Sequence, residues 1–62
     1  MMKVERRIDD LYASAWQEAI ENVAKVINKR LHTNYSVKED WMILEEIAMD
    51  FGIRFDENGG II

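Results

Sequence analysis

Apolar residues recur at helical spacing from about Lys3 to Leu31, and again from about Val37 to Phe51. With each residue placed 100° from the last, Val4, Ile8, Leu11 and Ala15 share one line, with Tyr12 at its edge. Trp16, Ile20, Val23 and Ile27 share a second line, about a quarter turn further round, and Leu31 trails beyond them. Arg6, Arg7, Asp10, Ser14, Gln17, Glu18, Glu21, Lys25 and Asn28 fill the opposite side. The pattern predicts one long helix over about 3–31 whose halves face different neighbours. Met2, Val4, Arg6 and Ile8 also alternate as in a strand, with Asp9 able to cap a later helix start. The Arg6–Asp10 pair and the helix-forming Lys, Glu and Arg favour helix there. Lys25, Lys29, Arg30 and His32 suit a helix C-terminus, and His32-Thr33-Asn34 reads as a connection.

Ser36-Val37-Lys38-Glu39 has the form of a capping box, in which the Ser36 hydroxyl and the Glu39 carboxylate each accept from the other residue's amide. Gly52 after Phe51 fits the left-handed position that ends a helix, with Ile53 set to touch the preceding turn. A second helix over about 37–51 is therefore bracketed at both ends. Val37, Trp41, Leu44, Ile47, Ala48 and Phe51 form its broad apolar stripe. Met42 and Met49 form a separate ridge, and Glu39, Glu46 and Asp50 make an acidic strip around Ile43. The tail, Ile53 to Ile62, reads as a tight β-turn at Asn58-Gly59-Gly60 between short apolar segments.

A helix of about 29 residues would reach ~40 Å, and one of about 15 only ~22 Å. A short helix folded onto the long one leaves the stripe of Val4, Ile8, Leu11, Tyr12, Ala15 and Trp16 bare, and a bare stripe predicts a homodimer seam. Ile20, Val23, Ile27 and Leu31 then receive Trp41, Leu44, Ile47 and Phe51. Size supports the same expectation. A single 62-residue domain buries only ~60% of its unfolded surface and generally needs a staple. No cysteine is present, so neither a disulfide nor a thiolate metal site supplies one.

Composition narrows the function. The chain is 48% hydrophobic and 32% charged, which is globular rather than disordered. No apolar run has the ~20 residues of a membrane span. Met1-Met2-Lys3-Val4-Glu5-Arg6-Arg7 lacks the apolar core of a signal peptide, so a cytoplasmic setting is expected and the sequon Asn34-Tyr35-Ser36 is read as chance. The net charge of −4 is uneven: residues 1–31 balance at +1 and residues 32–62 at −5. The acidic half would repel a phosphate backbone and attract a basic protein surface.

The chemical motifs are weak. Asp50-Phe51-Gly52 spells a kinase magnesium tripeptide, but a chain this short cannot hold a kinase. Asp56-Glu57-Asn58-Gly59-Gly60 lacks the spacing and the twelfth-position glutamate of a calcium loop, although Asn58-Gly59 is a deamidation-prone pair. The acidic side chains of the second helix have no evident desolvated pocket in which to do acid–base work. No nucleophile elbow, phosphate loop or zinc spacing occurs. Trp16 and Trp41 read as core, and His32 as a cap contributor. No catalysis, cofactor or metal is expected.

The sequence thus predicts a mainly α helical hairpin with a C-terminal β-turn tail, dimerising through the long helix. Its expected role is a non-catalytic interaction module, a small acidic inhibitor or adaptor of the kind often encoded by phages or mobile elements. It would bind a larger, basic protein through Glu39, Met42, Ile43, Glu46, Met49 and Asp50. The competing reading is a small dimeric DNA-binding regulator. If residues 2–8 were a strand, the order strand–helix–helix resembles ribbon-helix-helix repressors, which implies that Arg6 and Arg7 lie at the reading strand. That likeness covers topology alone, and the small cluster of Lys25, Lys29 and Arg30 falls short of an extended basic face.

Overall fold

A computed structural model of the chain describes residues 5–62. Two helices, α1 (Ala13–Leu31) and α2 (Val37–Asp50), pack against each other as a helical hairpin. A single 3-10 turn, Ile8–Asp10, precedes α1 and touches both helices. The core is one cluster of Ile20, Val23 and Ile27 from α1 and Leu44 and Ala48 from α2, completed by Ala19, Ala24, Ile8 and Phe55. Among the described residues no polar or charged residue is buried.

The helix expected over 3–31 begins ten residues later, at Ala13. Leu11 and Tyr12 are extended instead, and Arg6 pairs with Phe55 through two backbone hydrogen bonds of 2.9 Å. The reason lies in burial. Ten more helical residues would carry the chain ~15 Å beyond Ala13, past the support of the shorter helix. Turning back lets Ile8 reach the core, where it is buried. Residues 5–8 therefore keep the strand-like alternation, with Glu5 and Arg7 exposed and Ile8 buried, before the 3-10 turn, and tertiary burial outweighs the helix propensity of Lys, Glu and Arg.

The length mismatch that motivated a dimer seam shrinks accordingly, to 19 against 14 residues. Of the six seam residues, Ile8 and Ala15 are buried within the chain, and Leu11 and Trp16 pack on the same core. Tyr12 alone projects freely, at 82% exposure, and Val4 lies outside the described residues. Four of the five described stripe residues are thus covered, wholly or in part, by their own chain. The core partners also differ from expectation. Leu31, Trp41 and Phe51 are exposed, while Ile8 and Phe55 occupy the centre.

The connection between helices hangs on Asn28. Its Nδ2 donates to the Tyr35 carbonyl at 3.1 Å, and its Oδ1 accepts from the Tyr35 N–H at 2.9 Å and the Thr33 hydroxyl at 2.8 Å. His32 closes α1 in the left-handed conformation (φ 53°, ψ 41°). The capping box takes a different form: the Ser36 hydroxyl makes no cap bond, and the Ser36 N–H donates to Asp40 rather than to Glu39, at 2.9 Å. Asp40 is one atom shorter and one residue later, and its backbone leaves helical geometry (φ −113°, ψ 19°) where its side chain turns back.

α2 ends as its sequence predicts. The Gly52 N–H donates to the Met49 carbonyl and the Ile53 N–H to the Ala48 carbonyl, with Gly52 at φ 65°, which is the paired bonding of a Schellman stop. The tail then crosses the helices. It forms no strand among the described residues. Two isolated antiparallel bridges, Arg6 to Phe55 and Phe55 to Ile61, make up its β structure. Between them, the Asp56 N–H donates to the Gly60 carbonyl at 2.8 Å, and the Asp56 carboxylate accepts from the Asn58 and Gly60 N–H groups, each at 2.9 Å.

Gly59 seats this turn on α1. Its φ of 86° suits glycine, and a Cβ there would lie 2.3 Å from the Ala15 carbonyl oxygen and 2.9 Å from the Ala19 nitrogen. Both obstacles are helix backbone, which cannot step aside. Gly59→Ala is expected to cost at least ~1–3 kcal/mol through overpacking. Phe55→Ala, which empties a fully buried site, is expected to cost ~3–5 kcal/mol. A domain of this length holds only roughly 3–9 kcal/mol in total. Urea titration followed by circular dichroism should therefore show Phe55→Ala near or past global unfolding.

Candidate functional site

α2 is buried along a narrow line. Only Leu44 and Ala48 are fully enclosed, with Val37 and Ile47 half-covered. At 100° per residue, Met42 and Met49 fall almost opposite Leu44. Glu39, Glu46 and Asp50 lie beside them, with Ile43 at the far margin. All six residues expected to bind a partner, Glu39, Met42, Ile43, Glu46, Met49 and Asp50, are exposed, and Met42 reaches 65%. The helix holds them on one continuous outer face.

Its flank is stiffened by aromatics. Trp41 meets Trp16 edge to face, with ring centroids 5.6 Å apart and planes at 74°, the arrangement ring quadrupoles favour. The Trp16 indole N–H donates to Glu45 Oε2 at 2.6 Å, tying α1 to α2 by a charge-assisted bond. Trp41, read from the sequence as core, is 40% exposed and forms one wall of the outer face. The periodicity concealed this because Trp41 sits at the margin of the apolar stripe. The role of Glu45 was equally hidden, since nothing in its spacing points to a partner on α1. Phe51, at 68% exposure, adds a further apolar group at the end of α2.

Electrostatically the face is uncompensated. α2 carries Glu39, Asp40, Glu45, Glu46 and Asp50 against Lys38 alone. Glu39 and Asp40 sit in the first turn, where the helix dipole welcomes them. Asp50 lies at the opposite end, and no basic residue occupies the last turn. Among the described residues the one ion pair is Arg7–Asp9, at 3.5 Å, so Glu39, Glu46 and Asp50 have no internal cation.

Other surfaces have less to offer. A shallow groove between the start of α1 and the tail turn is lined by Ser14, Glu18, Asn22, Asp56 and Glu57, among others. Its Asp56 carboxylate is already engaged by the turn amides. Among the described residues no group of three or more His, Asp or Glu side chains is arranged to hold a metal ion. No described helix is long and apolar enough to cross a membrane. Arg6 and Arg7, the residues of the DNA-binding alternative, stand in different surroundings, Arg6 partly buried and Arg7 at the surface. The Arg6 backbone pairs with Phe55 of its own chain and its Nε is buried, while Arg7 faces Asp9. Comparisons with family models, with curated proteins and with solved structures return no match.

Replacing Glu45 with alanine is expected to cost about 1 kcal/mol, below the ~1.5–3 kcal/mol of bonds to charged groups because this one is partly exposed. It should also free the Trp16–Trp41 pair. Tryptophan emission should shift to longer wavelength in Glu45→Ala at unchanged helix content. An unchanged spectrum would mean that the bond does not hold the pair.

Proposed function

We propose that this protein is a non-catalytic interaction module, a small acidic inhibitor or adaptor, whose α2 outer face docks on a basic surface of a larger protein. The observation that carries this reading is the exposure of Met42, Ile43 and Met49 beside Glu39, Glu46 and Asp50, which have no ion-pair partner among the described residues. Methionine side chains are flexible and polarisable and adapt to varied apolar surfaces. The strip of carboxylates beside them selects the sign of the partner and speeds encounter. The fixed Trp16–Trp41 pair supplies a pre-ordered aromatic wall, and tryptophan is prominent among residues that anchor interfaces.

Self-association is a weaker use of the same face. Two such faces would bring three carboxylates each into one interface, and the seam first expected from Val4, Ile8, Leu11, Tyr12, Ala15 and Trp16 retains one freely exposed side chain among its described members. A monomer is therefore expected at micromolar concentration by light scattering coupled to size exclusion.

The binding reading is tested by capture from host lysate, followed by calorimetry with the recovered protein. Reversing Glu39, Glu46 and Asp50 to lysine should weaken that affinity by at least ~10-fold, equivalent to about 1.4 kcal/mol. Met42→Ala with Met49→Ala should weaken it independently of salt, and both variants should keep the helical spectrum. Equal affinity of the charge-reversed and parent proteins would reduce the strip to a solubility device.

A further inference from the structure

The Asn58-Gly59 pair is chemically labile in any chain, because the small glycine lets its backbone nitrogen reach the asparagine side chain. In this fold the pair is held in an unreactive state by three separate contacts. The Gly59 N–H, whose nitrogen is the nucleophile, donates to the Asp56 carbonyl at 3.1 Å. The Gly59 carbonyl accepts from Asn22 Nδ2 of α1 at 3.0 Å. The Asn58 N–H is fixed by the Asp56 carboxylate at 2.9 Å. Gly59 itself is buried against the backbone of α1, so the peptide plane has no room to turn toward the exposed Asn58 side chain.

We propose that Asn58 is a conformationally gated modification site: its side chain cyclises onto Gly59 only while the tail is lifted from α1, and the product keeps the tail from reseating. The Gly59 nitrogen forms a bond to Asn58 Cγ, the Cγ–Nδ2 bond breaks, and ammonia leaves with the Gly59 amide proton. Water then opens the cyclic imide at either carbonyl, leaving aspartate or isoaspartate. The isoaspartate product lengthens the main chain inside the turn that spans Asp56 to Gly60, whose closing bond is 2.8 Å. It also sets a new carboxylate beside Asp56, Glu57 and Glu18, which line the same groove. The longer turn cannot keep Gly59 on Ala15 and Ala19 while Phe55 stays paired with Arg6 and Ile61. This inference is independent of the proposed binding function.

The test follows conversion of the Asn58 peptide by mass mapping in mildly alkaline buffer, with isoaspartate read by enzymatic methylation. The full chain is compared folded and in urea. Conversion in the folded protein is expected to be at least ~10-fold slower, because it tracks the population of the open tail. Asn22→Ala, checked for native helix content, should raise the folded rate toward the rate in urea. The purified isoaspartate form should lose the amide resonances of seated Phe55 and Gly59, whereas Asn58→Asp, which adds charge without length, should keep them. Equal rates in buffer and urea would overturn the gating, as would an unchanged rate in folded Asn22→Ala. An isoaspartate form with Phe55 and Gly59 still seated would overturn its irreversibility.

Discussion

The burial of Phe55 is the interaction on which the remaining architecture depends. Its side chain is enclosed by residues of both helices and of the leading segment. Its backbone pairs with Arg6 on one side and Ile61 on the other. One residue therefore joins the beginning of the described chain, the helical hairpin and the tail. Without it, α1 and α2 would share only a thin layer of Ile, Val, Leu and Ala, too little apolar area for an isolated pair of this size. The tail serves as the third layer that a two-helix protein otherwise lacks. Gly59 and the small side chains of Ala15 and Ala19 let its backbone lie close enough to complete that layer.

The second helix carries the opposite tension. It contributes two fully buried residues to the core and turns most of its surface outward. Asp50 sits at a helix end where a cation would be better placed, and Met42 and Ile43 spend apolar area on water. Local choices that weaken a fold without an internal return concentrate at sites that meet other molecules. The rigid part of this surface is the Trp16–Trp41–Glu45 arrangement. The adaptable part is the methionine ridge, so the face combines a fixed wall with a compliant centre.

Much of the hairpin was legible in the residue pattern. The Ile20, Val23 and Ile27 line, the Leu44 and Ala48 face and the Gly52 stop all lie where periodicity and turn chemistry place them. The exposure of the α2 strip was also legible, because charge clustered on one side of a bracketed helix has few other places to go. What escaped was non-local. Local propensity favoured helix over residues 5–12 against a strand-like alternation, and the outcome rests on Phe55, about fifty positions away. The centrality of Phe55 was invisible because a short tail with a lone aromatic has no period to measure. Trp41 and Phe51 were assigned inward from stripe membership, yet Ile8 and Phe55 fill the core and leave those larger rings outside. Nor could spacing alone give Ser36 its true partner, since Glu39 and Asp40 are adjacent carboxylates and backbone geometry chose between them.

The pairing of Arg6 with Phe55 also bears on how the molecule is made. A chain leaves the ribosome from its N-terminal end, and domains otherwise tend to organise as they emerge. Here the leading segment has no mate until Phe55, about fifty residues later, has been made and released. The helices must wait as a loose pair with their apolar faces unsealed, and closure comes late, as one long-range event. A hairpin sealed by a residue so distant in sequence is most open to chaperones, proteases and neighbouring nascent chains in the interval before that residue arrives.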